Sequence, residues 1–314
     1  QKPSRKPRLS MHPSAASVLP SVRLSEGFEP DKPLAPFTSW RIGGAADFYV
    51  APANEDEIRA IISTAHQHGI PLTVLGGGSN VLLSDQGLRG IVMHISHRFA
   101  GFEFLADGRV CAKAGTRLGT LIKKAMSLGL SGIEQLWGIP GTVGGAVVMN
   151  AGACNTETFD VLESVTSLTP NGETIVRTKE QIRHGYRWSD YKYNGEIVIE
   201  ATLQLAAADP VFIQSRFDAA DERRKPQHNI RLPNSGSIFR NPAGNFAGRL
   251  IEQMGAKGRI HGQVQVSPDH ANFIVNLGHA RARDACLLIQ SLQADVLQRY
   301  SVQLEPEVIF LGEF

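Results

Sequence analysis

Cysteine is scarce in this 314-residue chain: Cys111, Cys154 and Cys286 stand far apart, with an odd count and no C-x-x-C pair. That excludes a disulfide framework or a cysteine-rich zinc site and points to a reducing compartment, the cytoplasm. No metal site is expected. Net charge is small as well. Of 32 basic residues, Lys2, Arg5, Lys6, Arg8 and Arg23 precede the first acid, which leaves 27 against 30 acidic residues in the body. A slightly acidic body gives no electrostatic case for nucleic acid. No run of about 18 apolar residues occurs, so no membrane insertion is expected. The familiar nucleotide signatures are missing too. After Gly76 and Gly78 the third position of a G-x-G-x-x-G is Val81, and no Gly-Lys dipeptide exists, which excludes a Rossmann fingerprint and a P-loop.

What is present is 42% hydrophobic and 20% charged residues, enough for two globular domains of roughly 150 residues each. Residues 1–25 read as a disordered basic leader; His12, Pro13 and Pro20 break the apolar stretch that a secretion signal needs. In the body, Asn54 and Glu57 form a capping box for a helix whose apolar face is Ile58, Ile61, Ile62 and Ala65, with Gly69 as its stop. A second helix from about Thr116 places Leu118, Leu121, Ile122, Ala125 and Leu128 on one side. Asn171-Gly172 turns a hairpin. A helix beginning near Asp209 is expected to end before Pro226, and the division between domains falls near residue 208. The remainder, 208–314, reads as an α/β layer of its own, closed by a final strand in "LEPEVIFLG".

Two segments carry most of the functional signal. In "LGGGSN" the consecutive Gly76, Gly77 and Gly78 can aim backbone N–H groups into one concavity that grips a phosphate, and Ser79 and Asn80 add side-chain donors. In "GIPGTVGG" the residues Ile139, Pro140, Gly141, Gly144 and Gly145 suit neither a helix core nor a strand. Two such segments suggest opposite walls of one pyrophosphate site. Taken alone, each also fits a tight turn.

In order along the chain, "TSWRIGGAADF", "LGGGSNVLL", "GIPGTVGGAVVMNAGA", "YRWSDYK", "NSGSIFRNP", "AGRLIEQMGAKG" and "LEPEVIFLG" resemble the UDP-N-acetylenolpyruvoylglucosamine reductase (MurB) family over the body from about residue 37. The resemblance implies an α+β fold: a two-lobed FAD-binding domain of the para-cresol methylhydroxylase type (26–207, lobes about 26–97 and 98–207) followed by a C-terminal substrate domain (208–314). It implies FAD held without a covalent bond, since neither glycine segment contains a histidine or cysteine and the nearby Cys154 reads as a small buried thiol. It also implies NADPH as co-substrate, a UDP-sugar enolpyruvate as substrate, and a monomer or weak homo-oligomer.

The same resemblance assigns roles. Arg187 would hold the substrate carboxylate, Tyr186 beside it would bind substrate, and Ser237 would be the general acid. Glu307 would complete the electrophilic site as a protonated donor, with Glu305 as the fallback on the same strand face. Lys225 and Asn241 would contact substrate or nicotinamide cofactor. Ser235 sits where other members carry alanine, so its hydroxyl is not required. Only "YNGEIVIEA" follows "YRWSDYK", which places the chain in the subgroup lacking an inserted tyrosine loop, with Arg240 and His270 as helpers for the diphosphate. A flavin oxidase of the same fold, or a catalytically silent nucleotide-binding protein, stays open at this point.

Overall fold

Two sheets meet on a shared core in the N-terminal part of the computed structural model, which describes residues 27–314; the basic leader lies outside them. The first sheet contains β1 (Glu29–Pro33), β2 (Ala45–Val50), β3 (Leu72–Leu75) and β5 (Leu88–His94) in the order β1-β2-β5-β3, with β2 and β3 parallel to β5. The short strand β4 (Val81–Leu83) stands apart. Between β2 and β3 runs α1 (Glu55–Gln67), and its start is the expected one. Asn54 Oδ1 accepts the Glu57 N–H at 2.9 Å, and Glu57 reaches back to the Ala53 N–H at 2.8 Å. Ile58, Ile61, Ile62 and Ala65 are all buried, and Gly69 ends the turn at φ +60°.

The second sheet is antiparallel throughout, with β6 (Phe102–Phe104), β7 (Arg109–Lys113), β8 (Leu162–Leu168), β9 (Thr174–Thr178) and β10 (Ile197–Gln204) in the order β9-β8-β10-β7-β6. Leu168 pairs with Thr174 across the Asn171-Gly172 turn. Helix α2 (Leu118–Ser127) buries Leu118, Leu121, Ile122 and Ala125. Leu128, expected on that face, is instead 48% exposed, because the helix ends at Ser127 and Leu128 turns away as the C-cap.

A third helix, α3 (Val143–Met149), starts inside "GIPGTVGG", where no helix was expected. Its glycines relieve crowding: a Cβ on Gly144 would lie 2.8 Å from the Ala114 Cβ. The low helix propensity of glycine is offset by this close approach of helix to strand and by Thr142 as N-cap.

Helix α4 (Pro210–His228) runs past Pro226 instead of stopping before it. Proline deletes one rung, but the Asn229 N–H still reaches the Lys225 carbonyl at 3.0 Å and closes the last turn. Then follow β11 (Asn234–Ser237), α5 (Ala247–Gln253), β12 (Ile260–His261), β13 (Val264–Val266), β14 (Phe273–Asn276) and α6 (Ala282–Tyr300), with an antiparallel sheet β11-β14-β13-β12. Ala282, Ala285, Leu288, Ile289, Leu292 and Val296 of α6 join its core.

The last strand, β15 (Ile309–Leu311), leaves that layer, contrary to expectation, and pairs in parallel with β4. Trp40, Ile42 and Leu82 are correspondingly buried in the C-terminal core. The Asp85 carboxylate accepts the Ala282 and Arg283 N–H groups at 2.7 and 3.0 Å, capping α6 from the first lobe.

Candidate active site

Both glycine segments face one cavity of about 1020 Å³, lined by Gly76 to Asn80 on one wall and by Ile139, Pro140, Gly141, Gly144 and Gly145 on the other. The loops touch at backbone distance. A Cβ on Gly77 would lie 2.7 Å from the Gly141 Cα, and one on Gly78, at φ +61°, would lie 2.0 Å from the Phe37 carbonyl oxygen. No side chain larger than hydrogen fits there, so the loops present bare backbone to the cavity, as close approach of a pyrophosphate requires. The side-chain donors go elsewhere. Ser79 Oγ donates to the Pro140 carbonyl at 3.1 Å and Asn80 Nδ2 to the Glu307 carbonyl at 3.1 Å, so both brace the cradle.

Arg187 sits at the tip of a two-residue hairpin between His184–Gly185 and Trp188–Ser189, with φ +64°. A non-glycine residue in the left-handed region costs on the order of 1 kcal/mol, and here the surroundings over-determine it. Its Nε donates to Glu307 Oε1 at 3.1 Å, Nη2 donates to the Gly152 carbonyl at 2.7 Å, and Glu157 lies 3.8 Å from Nη1. The Tyr186 ring packs against the guanidinium at 4.7 Å, and Arg240 Nη2 donates to the Arg187 carbonyl at 3.1 Å. Glu307 precedes β15, and its N–H donates to the Ile238 carbonyl at 2.7 Å, one residue beyond Ser237. Burial pushes the Glu307 carboxyl above the ordinary range, against the pull of Arg187, Arg240 and Lys192.

Arg187, Ser237 and Glu307 all line the cavity. Among the described residues no hydrogen bond uses the Ser237 hydroxyl, so it is not tied to the surrounding protein.

Comparison with known proteins bears on the same segments. An FAD binding domain profile matches residues 46–178, and the profile of the UDP-N-acetylenolpyruvoylglucosamine reductase C-terminal domain matches 226–311. The UDP-N-acetylenolpyruvoylglucosamine reductase of a Synechococcus species is 44% identical over 303 residues, covering 96% of both chains. That of Trichormus variabilis is 44% identical over 283 residues, 90% of this chain and 85% of the relative. The chain belongs to the UDP-N-acetylenolpyruvoylglucosamine reductase family. The crystal structure of the MurB reductase from Thermus caldophilus superposes with a TM-score of 0.78 at 34% identity, covering 91% of this chain and 98% of the other. The N-terminal part is therefore a two-lobed FAD-binding domain, and a MurB C-terminal domain follows it.

Several residues sit differently from what the motifs suggested. Lys225 is exposed, pairs with Glu222 and is not among the residues lining the cavity; Arg223 and Arg224 line it, and Arg224 Nη2 donates to the Gly138 carbonyl at 3.0 Å. Asn241 lines the cavity, but its Oδ1 accepts the Ala247 N–H at 3.1 Å and so also caps α5. Glu305 is exposed and outside the cavity, whereas Glu307 lines it. Ser235 is buried, with a hydroxyl that finds no partner among the described residues. Cys154 is half-buried and lines the cavity instead of being a core thiol. His270 lines the cavity, whereas Arg240 supports Arg187 without lining it.

The sequence reading missed Lys192. It ends "YRWSDYK", lines the cavity, and is pushed below the ordinary lysine range by burial and Arg240 while Glu307 pulls the other way. Its place in the same short motif as Arg187 was a usable signal. Among the described residues no cluster suited to a metal ion occurs, and no helix is long and apolar enough to cross a membrane.

Proposed function

We propose that the chain reduces the enolpyruvyl group of UDP-N-acetylglucosamine enolpyruvate to the lactyl ether of UDP-N-acetylmuramate, with NADPH as reductant and FAD bound without a covalent link. The observation that carries this reading is that Arg187 and Glu307, in contact with each other, and Ser237 line the same cavity as the two bare glycine loops. Gly76, Gly77 and Gly78 with Gly141 would hold the pyrophosphate, and the opposed Ile139 and Pro140 would limit its depth. Bound FAD supplies hydride transfer from NADPH to the methylene carbon of the substrate.

The chain's own residues handle charge and proton. Arg187, pinned by Glu307 and Gly152, keeps the rest of its planar fork for the substrate carboxylate and stabilises the enolate that develops there. Glu307, whose protonated form burial favours, would donate to the same carboxylate. Ser237 Oγ gives its proton to the carbon that bears the carboxylate, and the enolate carbon is basic enough to take it. Tyr186 packs on Arg187 and fixes its plane. Asn241 and the α4 cations near Lys225 face the anionic phosphates of substrate or NADPH. The division of labour assigns 26–207 to cofactor and 208–314 to substrate, in a cytoplasmic monomer or weak homo-oligomer.

The test is direct. Purified protein should show a flavin spectrum, release the colour on acid precipitation, and oxidise NADPH only when the enolpyruvyl substrate is present. A colourless protein, or a yellow pellet with flavin left on a peptide, overturns the respective part of the proposal.

A further inference from the structure

Behind the first glycine loop, outside the cavity, lies an aromatic layer that the reaction does not use. Tyr49 on β2 and His94 at the end of β5 are bridged by a hydrogen bond of 2.7 Å between the phenol and Nδ1. Phe37 stacks on Tyr49 at 4.8 Å and meets the His94 ring edge-on at 5.3 Å. Lys32 caps the outer side, its Nζ 5.8 and 5.6 Å from the Phe37 and Tyr49 ring centroids.

This layer is joined to the cradle at three points. The Phe37 carbonyl oxygen occupies the space where a side chain on Gly78 would go. Two residues on, the Ser39 N–H donates to the Gly78 carbonyl at 3.0 Å. His94 pairs in register with Leu75, the residue before Gly76, and also hydrogen-bonds the Gly76 backbone. Burial pushes Tyr49 up to about 12 and His94 below the ordinary histidine range, so the bond joins a neutral phenol and a neutral imidazole. A buried polar pair of this kind admits few arrangements, since a broken bond leaves two unsatisfied groups.

We infer that Tyr49 and His94 are positioning residues that act as one unit: by fixing Phe37 and the Gly76 backbone, they set the depth of the first glycine loop and hence the affinity for FAD. The inference rests on the FAD reading above. Its test is a double-mutant cycle on flavin-stripped protein, read by FAD titration and by the melting temperature of the apo form. Loss of one hydrogen bond of ordinary strength corresponds to about five-fold in affinity, so Tyr49→Phe should weaken FAD binding by roughly that factor. His94→Leu should weaken it at least as much. His94→Asn, whose Oδ1 takes the place of Nδ1, should recover most of the loss. The double variant Tyr49→Phe/His94→Leu should be no worse than His94→Leu alone, because the pair fails as a unit.

Additive losses in the cycle, or unchanged FAD affinity in variants with lowered melting temperature, would show that the layer serves stability only and overturn the inference. Absence of FAD binding by the wild-type chain would instead overturn the FAD reading itself, so the two failures are distinguishable. If His94→Leu does not fold, Tyr49→Phe with His94→Asn completes the comparison, and equal FAD affinity in both and in wild type refutes the inference.

Discussion

Gly77→Ala should weaken FAD binding by roughly 5- to 150-fold while the apo protein still folds. Gly77 does not adopt the left-handed conformation, so alanine meets no backbone strain of its own. What it meets is the opposite loop: its Cβ would lie 2.7 Å from the Gly141 Cα, 3.3 Å from the Gly141 carbonyl carbon and 3.4 Å from the Thr142 nitrogen. Backbone cannot rotate away as a side chain can, so the two loops must part by most of an ångström to restore ordinary contact. Overpacking of this kind costs about 1–3 kcal/mol. In the apo chain the loops relieve it by opening, whereas a pyrophosphate bridging both loops needs the original spacing. The strain therefore falls on the complex, and about 1–3 kcal/mol corresponds to a loss of roughly 5- to 150-fold in affinity. Gly76→Ala is the matched control, since its Cβ would meet only the Thr142 hydroxyl at 3.2 Å, which can turn aside. Titration of stripped protein with FAD, followed by fluorescence, gives both dissociation constants. Equal affinities for Gly77→Ala and wild type, with both apo proteins folded, would refute the opposed-loop cradle.

Three further outcomes follow from the same geometry. Ser237→Ala should leave NADPH-driven bleaching of the flavin band near wild type and slow reoxidation by the enolpyruvyl substrate by ~10²- to 10⁴-fold, both read by rapid-mixing absorbance; equal slowing of the two would sink the general-acid role. Glu307 titrates above the ordinary carboxylate range in the folded chain, so the unfolded chain ionises first as pH rises. Wild type should then lose stability between the ordinary range and the raised value, a slope that Glu307→Gln lacks in urea melts at stepped pH, and parallel curves would contradict the assignment. Asp85→Ala removes the carboxylate that caps α6 and should lower stability by about 1–2 kcal/mol, measured by denaturant unfolding; a change near zero would mean that the cap contributes nothing.

Local rules were legible wherever one stretch of chain satisfies them. The Asn54 cap, the Gly69 stop and the Asn171-Gly172 turn all obey constraints set within a few residues. The phase of α4 was not read, although the signal existed. Ile213 and Ala220 are buried, and Arg216, Phe217, Asp221 and Arg224 follow at helical spacing to meet Glu134, Trp137 and Gly138. A step of one residue turns a helix by about 100°, which carries Lys225 off that face and leaves Arg224 on it. The charge cluster was visible in the sequence, but its facing depends on the second-lobe segment it packs against. The helix inside "GIPGTVGG" escaped for a related reason: glycine there answers to Ala114 on a neighbouring segment, which no local window contains.

The pairing of Arg187 with Glu307 lies furthest from any local rule, because 120 residues separate them and neither neighbourhood names the other. Its cause is the return of the chain end to the first lobe. Strand β15 pairs with β4 directly after the first glycine loop, Asn80 holds the Glu307 carbonyl, and Ser84 Oγ donates to the Glu313 carbonyl. Glu307 is thereby fixed to the loop that would hold the pyrophosphate. Arg187 belongs to the other lobe, on a hairpin tied through Gly152 and through Asn150, which donates to Glu157 and to the Gly185 carbonyl. The 3.1 Å contact between them therefore joins the two lobes at the cavity, and a change in the spacing of the lobes must alter it. The first glycine loop and the Arg187–Glu307 pair are thus positioned by the same few connections, which is why Asn80, read from sequence as a phosphate donor, matters here as the link between them.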